Sequence, residues 1–120
     1  MIKDILLVGI GSFVGGVLRY LVSLMVKWGG SEFPWATFTV NILGCLLIGL
    51  LWGWGSRSLS PQLMLLLSVG LCGGFTTFST FSKESLMLLQ GGSYLMFAIY
   101  VGGSIALGIG STALGWILTK

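Results

Sequence analysis

The chain has no histidine, only three acidic residues (Asp4, Glu32 and Glu84), two cysteines and two prolines among 120 residues. Without histidine it lacks the side chain that most often serves as a general base or a metal ligand near neutral pH. Three scattered carboxylates offer no inward-facing pair, and no nucleophile–base set accompanies them, so the composition argues against an enzyme. Six basic residues and a net charge of +3 are too few and too dispersed to form a nucleic-acid surface. Cys45 and Cys72 fall inside apolar runs and read as small buried hydrophobes rather than a disulfide or metal pair.

The lack of charge in general excludes the most. Charged residues make up 8% of the chain, against about 25% in a typical soluble domain. A soluble fold of this size could not cover its surface with so few. What replaces charge is apolar: 55% of residues are hydrophobic and the mean hydropathy is +1.02. The chain therefore reads as an all-α membrane protein, with residues 1–120 forming a single transmembrane domain.

A helix crossing the ~30 Å hydrocarbon core needs ~20 mostly apolar residues. Four stretches meet that need, at about residues 5–26, 35–54, 61–90 and 94–118. Lys3 before the first apolar run gives it the look of a signal peptide, but no small-residue cleavage pattern follows and a retained span is expected. Polar turns separate the spans: 27–32, the Gly55–Ser60 linker and Gly91-Gly92-Ser93. Pro34 suits a first-turn position. Trp28, Trp35, Trp52, Trp54, Tyr94 and Trp116 fall near span ends, where amphipathic rings favour the membrane interface. The long runs do not alternate, which excludes a β-barrel. Gly11/Gly15 and Gly49/Gly53 each form a GxxxG pair, the pattern of close helix packing in lipid.

With four spans, Lys3, Arg57 and Lys120 share one side, while Lys27 and a snorkelling Lys83 occupy the other. That is a weak positive-inside bias, compatible with insertion in both orientations or with a fixed one.

Polar residues inside the spans are costly and tend to be functional. Arg19 can snorkel, anchor a neighbouring helix or attract anions. Asn41 can clamp two helices or offer its amide donors to a passing anion. The run from Gly70 to Ser82 is the most specific feature. Gly73-Gly74 invites a break in the third span, and Thr76, Thr77, Ser79, Thr80 and Ser82 follow it. Carbonyls freed by a break must be satisfied by protein, water or an ion, and oxygen ligands suit a hard cation such as Na⁺. Phe78 and Phe81 share a helix face, and their positive ring edges can meet a dehydrated anion. Glu84 lies on the same side as Thr77, Thr80 and Phe81, and can titrate, accept a hydrogen bond from Thr37 or Thr80, or snorkel.

Gly16-Val17-Leu18-Arg19-Tyr20, Thr37-Phe38-Thr39-Val40-Asn41 and, above all, the run from Gly73 to Ser82 resemble the Fluc (CrcB) fluoride channel family over essentially the whole chain. Ala36 stands where the family often has glycine, which bears only on fine packing. The resemblance implies passive fluoride export across the cell inner membrane by an antiparallel, dual-topology homodimer. It implies a fluoride pathway formed by Asn41, Phe78 and Phe81, a polar track of Thr37, Thr80 and Glu84, and Tyr100 and Ser104 near a pore. It further implies a structural Na⁺ at the dimer centre, held by the backbone carbonyls of Gly73 and Thr76, with Arg19 in a structural or vestibular role. The implied partners are fluoride, a second copy of the chain and membrane lipid. The competing class is a proton-coupled small-molecule exporter with four spans and dual topology. Such exporters usually depend on a carboxylate in the first span, and none lies there beyond Asp4 at its mouth.

Overall fold

The computed structural model of the protein describes residues 1–26, 33–76 and 78–120. Among these residues, four helices are long and apolar enough to cross a membrane: Ile2–Met25, Trp35–Ser58, Pro61–Gln90 and Tyr94–Thr119. They are called the first to fourth spans below. The long dimension of the bundle is 47 Å, which matches a bilayer of ~40–45 Å including its headgroup regions. The expected turn at 27–32, with Trp28, lies outside the described residues, as does Thr77.

The spans begin and end where local chemistry allows. Asp4 sits in the first turn of the first span, where a negative charge complements the helix dipole. The third span opens on Ser60, whose side chain accepts a hydrogen bond from the Leu63 amide at 3.1 Å, with Pro61 at the first helical position. Between the third and fourth spans the Ser93 amide bonds the Leu88 carbonyl and the Gly92 amide bonds the Leu89 carbonyl. This pairing closes the helix only if Gly92 is left-handed, and its φ is +77°.

The second span differs from the sequence expectation. Helix continues past Trp54 as a π-helical stretch at Leu51–Gly55 and a last turn at Ser56–Ser58. The polar residues that read as a linker hold this extension. Ser56 Oγ donates to the Trp52 carbonyl at 2.6 Å, and Arg57 Nε donates to the Gly53 carbonyl at 3.0 Å. A second guanidinium nitrogen of Arg57 donates to the Thr119 carbonyl and ties this end to the fourth span. Trp52 stacks on Trp116 at 5.4 Å, and Lys120 lies over the Trp116 ring. These groups form an aromatic and cationic layer at one end of the bundle.

The third span is the least regular. It runs as α-helix over Pro61–Leu65, as π-helix over Leu66–Cys72 and again as α-helix over Gly73–Phe75. Thr76 is extended (φ −89°, ψ 158°), and helix resumes over Phe78–Gln90.

Two tight helix pairs build the bundle: first against third, and second against fourth. Glycine sets both. A Cβ at Gly11 would stand 2.8 Å from the Gly70 Cα, and one at Gly74 would stand 2.8 Å from the Ser12 Cα. Thus Gly11/Gly15 meets Gly70/Gly74 backbone to backbone. Across the other pair, a Cβ at Gly115 would meet the Leu46 carbonyl at 2.6 Å and the Leu50 amide at 2.8 Å. Thr112 Oγ1 adds a hydrogen bond to the Cys45 carbonyl at 3.0 Å. With no water to expel between helices in lipid, such close contact is the main source of association. Gly74→Val should therefore cost about 3 kcal/mol or more, the upper end for overpacking a tight contact. Gly16→Ala, at a site with open space around it, should be neutral. Reversible unfolding in mixed detergent micelles measures both.

Candidate functional site

The irregular third span determines the site. Gly73 has nothing within 4 Å of where a Cβ would stand, so its surface is open. Thr76 leaves the helix immediately after the Gly73–Phe75 turn. Both line a cavity of about 460 Å³ with Asn41, Gly44, Cys45 and Ile48 from the second span, Ser68, Cys72, Phe78 and Phe81 from the third, and Ser104 and Ile105 from the fourth. Of the residues expected to matter, this cavity gathers Asn41, Gly73, Thr76, Phe78, Phe81 and Ser104. The Ser104 hydroxyl oxygen is buried with no hydrogen-bond partner among the described residues. An unmet hydroxyl is costly in a buried setting and marks a place where a hydrogen-bonding ligand would be favoured.

Phe78 and Phe81 have ring centroids 5.8 Å apart and are tilted by 39°. Phe78 is 77% exposed on the isolated chain. Helical spacing puts both residues on the same side of the third span, and both line the cavity.

A second cavity, of about 610 Å³, lies toward the Gly91–Ser93 turn and is lined by Phe33, Pro34, Thr80, Lys83, Glu84, Met87, Leu88, Gly91 and Ser93. Tyr100 connects the two cavities. Its ring is fully buried and packs at 5.0 Å from Phe81 and edge-on at 5.4 Å from Phe33. Its hydroxyl donates to Glu84 Oε1 at 3.1 Å and also shares a hydrogen bond with the Thr37 side chain. Thr37 is itself buried. Thr37, Tyr100 and Glu84 therefore form a continuous polar line, with Thr80 on the wall of the same cavity as Glu84. The sequence leaves Glu84 open between a titrating acid, an acceptor for Thr37 or Thr80 and a snorkelling group; the structure shows its carboxylate accepting a hydrogen bond from Tyr100.

Arg19 lies between the first and third spans. Its Nε donates to the Gly74 carbonyl at 3.3 Å. In an unbroken helix that carbonyl would be capped by the amide four residues on, at Phe78. Ser12 Oγ reaches the Gly70 carbonyl at 3.4 Å on the same side. Cavity residues that sequence reasoning missed are Gly44, Cys45, Ile48, Ser68, Cys72 and Ile105. For the second-span members a signal existed: Gly44, Cys45 and Ile48 lie three, four and seven residues after Asn41 and so share its helix face.

A family profile described as "CrcB-like protein, Camphor Resistance (CrcB)" matches residues 6–116. A Phocaeicola vulgatus protein named "Fluoride-specific ion channel FluC" is 50% identical, with 94% of this chain and 95% of that protein covered. Proteins of the same name from Chlorobaculum tepidum and Flavobacterium psychrophilum are 47% and 45% identical. The first covers 100% of this chain and 97% of its own length; the second covers 98% of each. With a profile matching nearly its whole length and relatives this similar from end to end, the chain belongs to the CrcB family.

Proposed function

We propose that this protein is a fluoride-selective channel that lets fluoride leave the cytoplasm passively and so limits its toxicity. The observation that carries this reading is the near-full-length similarity to proteins named fluoride-specific ion channels. The cavities supply a mechanism consistent with it. Fluoride is small and strongly hydrated, so a pathway must replace water with hydrogen-bond donors and positive ring edges. Asn41 and Ser104 offer donors, Phe78 and Phe81 offer ring edges, and all four line one cavity. The Thr37–Tyr100–Glu84 line and Thr80 continue the polar surface toward the turn at Gly91–Ser93. No reaction is catalysed, and the protein is not an enzyme.

The functional unit in this reading is an antiparallel homodimer in the cell inner membrane. The large exposed side chains of the isolated chain, Phe78 among them, would face lipid or the second copy. Lys3, Arg57 and Lys120 give only a slight charge bias, which supports insertion in both orientations. The third span is read as broken at Thr76, where the backbone is extended. A structural Na⁺ is read there because Gly73 and Thr76 share the cavity wall and the C-terminal end of a helical segment leaves carbonyls without intrahelical amides. No group of three or more His, Cys, Asp or Glu side chains stands ready to hold a metal among the described residues. In this reading the donors are carbonyl oxygens, which suit a hard cation. Bound there, Na⁺ would supply an electrostatic link between two copies.

Liposomes containing only this protein should release fluoride at least about tenfold faster than chloride, a difference of ~1.4 kcal/mol in barrier. Ion-selective electrodes read both rates, and equal release would contradict the selective-channel reading. Phe78→Ile and Phe81→Ile each keep bulk but remove the ring edge. Each should slow fluoride release about tenfold or more while the protein still migrates as a dimer. Normal release from both variants would reduce these rings to packing.

A further inference from the structure

The sequence left Lys83 as a snorkelling surface charge, and the pathway described above does not use it. The structure places it on the wall of the 610 Å³ cavity, beside Thr80 and Glu84. The walls of this cavity include Phe33, Pro34, Gly91 and Ser93, residues at the ends of the spans, so it lies at that membrane face. Lys83 is exposed and, among the described residues, makes no ion pair or hydrogen bond. Its neighbour Glu84 is not in the same position: that carboxylate lies deeper, is only partly exposed and accepts a hydrogen bond from Tyr100.

Such a mouth poses an electrostatic problem for an anion. A carboxylate on the entry wall repels every approaching anion, and the apolar surroundings focus that repulsion. A lysine ammonium on a flexible stem can sit outside the carboxylate and reverse the sign of the field met first. Resting on the channel reading, we infer that Lys83 is a positioning residue for the transported anion, an entry charge that offsets Glu84 and concentrates fluoride at the mouth. In water, a unit charge roughly 6 Å from an ion changes its local concentration about threefold, with a sign set by the charges. The effect is screened by salt, because the Debye length shrinks from about 30 Å at 0.01 M to about 3 Å at 1 M.

The test is the initial rate of fluoride release from neutral phosphatidylcholine liposomes. Ionic strength is set at about 0.01 M and about 1 M with potassium gluconate over constant sodium. Lys83→Gln should release fluoride about threefold more slowly than the parent at low ionic strength, and Lys83→Glu more slowly still. Lys83→Arg should behave as the parent. At high ionic strength all four rates should converge. Equal rates at both ionic strengths would overturn the inference. So would a loss that is the same at both, since packing damage does not respond to salt. If the parent itself releases no fluoride at either ionic strength, the channel reading fails and this inference falls with it. A parent that conducts while Lys83→Gln shows no salt-dependent deficit removes the entry charge alone.

Discussion

Lipid cannot hydrogen-bond a peptide group, and the departures from regular helix among the described residues are arranged around that constraint. The second span ends in a π-helical stretch, and Arg57 and Ser56 fold back on its carbonyls while Arg57 reaches across to the fourth span. The third span is irregular over more of its length. There Ser12 and Arg19 of the first span reach the Gly70 and Gly74 carbonyls. These donors can approach only because Gly11 and Gly15 bring the two backbones together. Close glycine packing and polar capping are thus two parts of one solution. The first span acts as a splint for the third, and Gly73 and Thr76 line the cavity on the second-span and fourth-span side.

The cavity wall acquires its chemistry from the same arrangement. Thr76 is extended, and helix is present over Phe78–Gln90. Phe78 and Phe81 are thereby carried on its first turn toward the second span, where Asn41 lies, and the fourth, where Ser104 lies. Tyr100 then couples this wall to the outer cavity through its ring on one side and its hydroxyl on the other.

Much of this was legible in the sequence, for identifiable reasons. The four spans follow from uninterrupted apolar length, and their starts at Trp35, Pro61 and Tyr94 agree with the structure. Ser60-Pro61 and Gly91-Gly92 are local signals and behaved locally. What the sequence could not supply was pairing between distant segments. It contained GxxxG pairs without saying which helix each would meet. It placed Glu84 among hydroxyls, but its bond to Tyr100 depends on how the third and fourth spans dock. The second span was ended at Trp54 because Gly55-Ser56-Arg57-Ser58 looks polar. Those polar groups bond to their own helix instead, and a composition window cannot see that. Fluoride, as opposed to any other small anion, rests on the family resemblance and not on the residues' physics.

We propose that the carbonyls of Gly73 and Thr76 bind a structural Na⁺ that joins two copies and is not itself transported. The most direct measurement replaces Na⁺ with a large organic cation on both sides of the membrane, then records fluoride release and dimer content together. The account predicts that release falls and dimer is lost in parallel. It further predicts that restoring equal Na⁺ on both sides, with no gradient, recovers both. Unchanged release and intact dimer after complete replacement would contradict it.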